Sequence, residues 1–312
     1  MENTNVLQIG QEPEKQPEVD VSKIIPINRQ SWQDKLRAYT KKPFSMVMML
    51  LVMLCTVITA AVVLWILIYT LIRGIPNLTP ELFSWKWTTE NQSMLPAIIN
   101  TLKVAVLSLV IAIPIGVFAA IFMVEYAKST NIFVKIVRMA AETLSGIPSI
   151  VYGIFGMILF VEAFGWGLSG IGGAITMALM VLPLIMRTTE EALLAVPDSF
   201  REGSYALGAG KLRTIFVIIL PAAMSGIISG VILALGRIVG ETAALLYTAG
   251  SGTNISASYM ESGRTLAVHM YILASNALYE PQAWATAVVL ILLVVIINGL
   301  AEFVGNKLKK EY

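Results

Sequence analysis

The chain reads as an all-α membrane protein with six transmembrane helices. Three observations predict this class. Of 312 residues, 56% are hydrophobic and only 13% charged, about half the roughly 25% typical of soluble domains. Uncharged runs near the ~20 residues that cross a bilayer as a helix recur along the chain. Lys and Arg concentrate in alternate loops, 17 of the 22 falling on one side of the topology those runs imply.

In chain order, residues 1–43 mix Pro, Gln, Glu and Lys with few apolar side chains, the composition of a largely disordered tail. They lack a cleavable-signal layout. The first apolar segment begins at Phe44 and is too long for a signal peptide, so it reads as an anchor. From residue 44 to 312 we expect one transmembrane domain. Its spans run Phe44–Ile72, Val104–Val124, Thr143–Val161, Ala163–Met186, Thr214–Gly236 and Ala283–Ala301. The third and fourth are separated by Glu162 and a turn containing Gly165, Gly167 and Gly170, which predicts a tight hairpin. Seven Lys and Arg precede the first span, and more fill the second-to-third loop, the 187–213 loop and the C-terminus. The positive-inside bias therefore predicts that both termini and the 187–213 loop are cytoplasmic. The loop 250–282 then faces outward.

Within the spans, Pro114, Pro148, Pro183 and Pro221 mark bends that a bilayer tolerates where neighbours satisfy the freed carbonyls. Gly226 with Gly230, and Gly236 with Gly240, are spaced for close helix packing. The single cysteine, Cys55, permits no intrachain disulfide and reads as a buried thiol. In the outward loop, Leu266, Met270, Leu273 and Ala277 repeat at helical spacing, predicting a helix over 265–278 on the membrane surface or capping the outer mouth. His269 lies there without a second histidine or cysteine nearby, so it reads as a partly exposed structural residue rather than a metal ligand.

The loop 187–213 has structure of its own. Pro197 and Asp198 break the preceding helix, and Ser199-Phe200-Arg201-Glu202 has the form of a capping box that starts a new one. Gly208 is placed to end it. Phe200 and Leu207 are seven residues apart and share a face, with the small Gly203 and Ser204 between them. That surface suits close approach by another protein.

Charged residues near the spans are few. Arg237 and Glu241 lie four apart, which on a helix puts them on one face. A charge near the bilayer centre costs on the order of 3 kcal/mol, so such residues face a cavity or a partner. The planar fork of arginine suits tetrahedral oxyanions; an internal ion pair that locks packing is the alternative. Arg187 ends the predicted fourth span, either snorkelling to the interface or extending a positive path. Glu125, Glu142 and Glu162 sit at span ends, as interfacial carboxylates do. A phosphate-binding loop is absent: around Gly210-Lys211, Tyr205 stands where its first glycine belongs and Leu212 where its Ser or Thr belongs. ATP would have to be bound by another chain.

One string carries a resemblance. Glu202-Gly-Ser-Tyr-Ala-Leu-Gly208, nine residues, then Ile-Ile-Leu-Pro221 resembles the docking loop of ABC-importer permeases, Glu-Ala-Ala, three residues, Gly, nine residues, Ile-x-Leu-Pro, with Gly203 and Ser204 replacing the two alanines. Leu-Gly-Arg237-Ile-Val-Gly-Glu241-Thr-Ala-Ala-Leu-Leu-Tyr-Thr-Ala-Gly, Ser145-Gly-Ile-Pro-Ser-Ile-Val-Tyr-Gly153 and Thr265-Leu-Ala-Val-His-Met-Tyr271 resemble the A-type permeases of phosphate-specific ABC importers. The likeness covers roughly residues 45–305. It implies a MetI-like type I importer permease in a prokaryotic inner membrane. Its implied partners are a homologous C-type permease, two copies of an ATP-binding subunit, an extracytoplasmic phosphate-binding protein and the lipid around it; no nucleic acid is implied. Arg237, Glu241 and Arg187 are the implied substrate-path residues. Glu202, Gly203, Ser204, Phe200, Leu207 and Gly208 are the implied ATPase-docking residues. A permease for sulfate or molybdate, and an ATP-independent anion channel or ion-coupled transporter, are the competing expectations.

Overall fold

The computed structural model describes residues 43–127 and 131–308, all helix, turn and loop without a strand; the tail expected to be disordered lies outside the described residues. Eleven helices are named here. They are α1 (Pro43–Gly74), α2 (Leu95–Ile121), α3 (Ile132–Ser145), α4 (Ser149–Gly156), α5 (Gly170–Leu194), α6 (Asp198–Ala206), α7 (Lys211–Thr214), α8 (Leu220–Gly240), α9 (Ala243–Thr248), α10 (Leu266–Ala274) and α11 (Glu280–Leu308). Short π-helical turns extend α2 to Tyr126 and α4 to Ala163, and join α7 to α8 across Ile215–Ile219.

Among the described residues, five helical segments are long and apolar enough to cross a membrane, six if a pair bent at a short break is counted as one span. The chain divides into two compact units at Ile66. The part of α1 before that point is an uninterrupted apolar helix with its side chains exposed. Cys55 sits there and is exposed rather than buried; every face of this helix is apolar, so nothing in its pattern selects an inward side.

In the second unit α5 is the most buried span and packs against both α2 and α8. Small side chains make this possible. A Cβ on Gly226 would come within 2.6 Å of Ala192 Cβ, and one on Gly230 would overlap Thr188. In lipid such close approach replaces the hydrophobic drive that is missing between apolar helices. The second glycine pair behaves otherwise: Gly236 meets only Asn298 at 3.9 Å, and Gly240 meets nothing within 4 Å. Spacing alone did not distinguish the interface from the open side of the helix.

The predicted third span, Thr143–Val161, is not one straight helix. Its axis turns by 101° between α3 and α4. Gly146 closes α3, and Pro148 is extended at φ −58°, ψ 142°; its ring and missing N–H prevent the first helix from continuing. The predicted hairpin is present: the chain turns at Gly165 and Gly167, both at positive φ, before α5. The predicted fourth span is also extended. Helix α5 continues two turns past Met186 to Leu194, so Arg187 lies inside it and the following loop begins only at Ala195.

The helix expected over 265–278 is shorter, 266–274, and is not a surface helix. Leu266, Ala267, Val268, His269 and Leu273 are buried, Leu266 within a cluster of Leu82, Met94, Ala97 and Ala285. His269 is 0% exposed, against the expected partial exposure. The apolar residues of α10 cover most of its circumference, the pattern of a helix packed on several sides.

Candidate functional site

A cavity of about 540 Å³ opens between α3, α5 and α8. Arg138, Glu142, Arg187, Glu190, Glu191 and Arg237 line it. Two of its arginines are already neutralised. Arg138 donates from Nε to Glu190 Oε1 at 2.7 Å, joining α3 to α5, and Arg187 Nε reaches Glu191 Oε1 at 3.1 Å within α5. Among the described residues, Arg237 has neither hydrogen bond nor ion pair. It is a half-buried guanidinium on the cavity wall without a counter-charge. Such a group carries an uncompensated desolvation cost unless an anion or water completes it.

The structure thus brings the predicted Arg187 and Arg237 to one cavity and leaves Glu241 elsewhere. Helix α8 ends at Gly240, and Glu241 is extended at φ −74°, ψ 130°. It does not share a helical face with Arg237. Its Oε1 instead accepts from Ala244 N at 3.3 Å, inside the first turn of α9. The break follows Gly240, the residue with the least helix propensity short of proline. An arginine and a glutamate four apart pair across a helix only where the helix is continuous.

Just past the C-terminal end of α5, the end that lines this cavity, α6 stands in the 195–210 loop. It starts at Asp198, directly after Pro197, so Ser199 is already inside it and the expected capping box does not form. Gly208 does terminate it. At φ +82° its N–H bonds Tyr205 O at 2.9 Å, and the next N–H, of Ala209, bonds Ser204 O at 3.1 Å, the paired bonds of a Schellman ending. The helix face differs from the expected one. Ser204 is 4% exposed, its hydroxyl 2.8 Å from Thr214 Oγ1; it holds α6 down rather than presenting it. Glu202 and Gly203 face outward, a Cβ on Gly203 meeting nothing within 4 Å. Phe200 is exposed beside them, and Leu207, just past the helix end, is 90% exposed.

Sequence reasoning passed over the residue that fixes α6 in place. Arg201 lies among the charges of the loop, but its guanidinium is turned in. Nε and Nη2 donate to Glu125 Oε1 at 3.0 and 2.8 Å, Nη1 to Val196 O at 2.9 Å and Asp198 Oδ1 at 3.1 Å, and Nη2 to Leu193 O at 3.0 Å. The Arg201 and Glu125 side chains are 15% and 5% exposed. Glu125 is therefore not an ordinary interfacial carboxylate. An arginine directly before the docking string, with a lone carboxylate ending an earlier span, was the available signal.

The loop after α9 holds a different polar cluster. Arg264 is buried, stacked over the Trp87 ring at 5.2 Å. Arg264 Nη2, Trp87 Nε1 and Thr265 Oγ1 lack hydrogen-bond partners among the described residues. Burial lowers the Arg264 pKa to about 10. Burial, reinforced by Arg264 and opposed by the Gln92 backbone, lowers that of His269 to about 3. His269 is neutral at physiological pH, and no group of three or more potential metal ligands exists among the described residues.

A helical bundle with five to six spans and a short helix standing on one end defines a class of membrane permease. Residues 112–310 match the family described as the binding-protein-dependent transport system inner membrane component, and the chain belongs to that family. The phosphate transport system permease protein PstA of Haemophilus influenzae is 35% identical over 267 residues, covering 84% of this chain and 94% of that protein. PstA of Yersinia pestis is 36% identical over 79% of this chain and 84% of its own. A probable ABC transporter permease, YqgI of Bacillus subtilis, is 33% identical over 83% of this chain and 94% of its own. Among solved structures, a bacterial alginate ABC transporter in complex with its periplasmic protein superposes with TM-score 0.58 at 16% identity, over 82% of this chain and 95% of that one. An inward-facing MetNI methionine ABC transporter does so with TM-score 0.52 at 18% identity, over 70% and 94%. The last two establish the fold alone: the chain has the MetI-like importer architecture.

Proposed function

We propose that this permease carries inorganic phosphate into the cell as one subunit of an ATP-driven importer. The observation that carries the reading is Arg237, a guanidinium without counter-charge among the described residues, on the wall of a cavity of about 540 Å³ whose other arginines are paired with carboxylates. A tetrahedral oxyanion fits its fork, and the relatives named as phosphate permeases favour phosphate among oxyanions. Arg187, exposed and held only by Glu191, extends the positive wall along α5. Glu241 acts at one remove, by fixing the start of α9.

ATP is bound and hydrolysed in this reading by separate subunits docking on α6 through Phe200, Glu202, Gly203 and Leu207, with Ser204 and Gly208 shaping the helix. A homologous second permease completes the path, and an extracytoplasmic binding protein delivers the anion. The charge asymmetry of the loops supports a topology with both termini and α6 on the cytoplasmic side of a prokaryotic inner membrane.

The test is uptake of labelled phosphate, with sulfate in parallel, in cells lacking their own permease and complemented by this chain with its partners. Losing one charge-assisted contact of about 1.5–3 kcal/mol should cut phosphate uptake by Arg237→Gln about 10- to 100-fold. Sulfate uptake with no phosphate uptake would overturn the substrate. Uptake that survives inactivation of the ATP-binding subunit would overturn the importer mechanism.

A further inference from the structure

Arg201 sits where three structural elements meet, and its five hydrogen bonds together reach all three. Through Glu125 it holds the π-helical turn that ends the α2 span. Through the carbonyls of Leu193 and Val196 it holds the last turn of α5 and the residues after it. Its own backbone belongs to α6. A guanidinium is suited to this because it donates five N–H groups in a rigid plane, and positive charge is favoured at the carbonyl end of a helix. Beneath lies a packed floor of Ile121, Met123, Leu193, Val196, Ile215 and Ile219. Two further ties complete the mount, the Ser204–Thr214 hydrogen bond and Lys211 Nζ over the Tyr126 ring at 4.6 Å.

The end of α5 that Arg201 grips is the end that lines the cavity. Arg187, Glu190, Glu191 and Leu194 all lie within its last two turns. A displacement of α6 therefore reaches the cavity wall through one side chain, without any intervening flexible loop. We propose that Arg201, paired with Glu125, is the positioning residue that transmits movement of α6 to α2 and α5, coupling ATP hydrolysis to opening of the Arg237 cavity. The proposal rests on the reading of α6 as the ATPase-docking helix. Its specific content is that Arg201 never touches the ATPase or the anion.

The experiment uses the full importer, with both permeases, ATPase and binding protein, reconstituted in proteoliposomes, and measures phosphate moved per ATP hydrolysed. The variants are Arg201→Lys, which keeps the charge but cannot make the forked set of bonds, and Glu125→Gln, which keeps the shape. Both should assemble and hydrolyse ATP, while the phosphate-to-ATP ratio falls about 2- to 30-fold, the range of couplings of 0.5–2 kcal/mol. Glu202→Lys, on the outer face of α6, should instead reduce retention of the ATPase. An unchanged ratio in intact complexes of both variants would overturn the proposal. Loss of assembly in both would overturn it too, making the cluster a folding device only. Failure of the underlying docking reading looks different: wild-type permease would not retain the ATPase at all.

Discussion

The two loops that leave the bundle bury an arginine each, and treat it in opposite ways. Arg201, in the 195–210 loop, makes five hydrogen bonds to two carboxylates and two carbonyls. Arg264, after α9, stacks on Trp87 and leaves Nη2 without a partner among the described residues. The helices beside them differ correspondingly: α6 is held at its base with an open outer face, whereas α10 is buried over its first four residues, Leu266 to His269. A saturated guanidinium is a fixed mechanical joint. An unsaturated one, with no acidic group among the described residues within 4 Å of it, marks a place where burial was tolerated for packing or where a counter-charge comes from elsewhere.

Exchanging each arginine for methionine is the sharpest way to break this comparison. Arg201→Met strands Glu125 and two carbonyls, and should lower the stability of the detergent-solubilised protein by about 3 kcal/mol, as removal of one partner from a buried pair does. Arg264→Met strands no charge and should be neutral or stabilising. Equal losses in thermal unfolding would show that the two sites are energetically alike.

A smaller effect distinguishes the loops by pH. The folded pKa of His269, lowered to about 3 from 6.5, means that between those values the unfolded chain binds the extra proton. Stability contributed by neutral His269 is present above the unfolded pKa and is lost as pH falls below it. Between pH 7 and pH 5 the loss should be about 2 kcal/mol, and His269→Gln should abolish that slope.

Two glycines of the 195–210 loop refine the picture further. Gly208→Ala, at φ +82°, should cost about 1–2 kcal/mol, because a Cβ is disfavoured in the left-handed region. Gly203→Ala, inside α6 with open space around it, should stabilise the helix by up to about 1 kcal/mol. If Gly203→Ala weakened the isolated permease, the outer face of α6 would not be free.

Much of the fold was legible because a bilayer reduces the problem to finding apolar runs and counting basic loops. The bend at Gly146-Ile147-Pro148 was written in the sequence too, but composition called that stretch one span, since hydropathy does not report direction. The site was legible in part. Arg187 and Arg237 were found as charges in apolar surroundings, and they line one cavity. The pairing of Arg237 with Glu241 failed because it assumed a helix across Gly240. Arg201 and Glu125 escaped notice because they are 76 residues apart, and nothing local in either segment announces the other. The orientation of Ser204 was lost for a similar reason: a small residue at a helix position reads as a surface for a partner or as an anchor, and only Thr214 decides.

The bent span has a consequence for the membrane around the protein. Ser149–Ala163 contributes 8 and 7 residues in two consecutive helical segments, which at ~1.5 Å per residue reach no more than about 22 Å. A hydrocarbon layer of ~30 Å exceeds that by roughly a third. The amphipathic α3 does not lengthen it, because its axis turns away by 101°. Lipids beside α3 and α4 must therefore shorten or tilt to match, at fractions of a kcal/mol per ångström. This makes one flank of the permease a thin spot, and ties its resting energy to the acyl-chain length of its host bilayer.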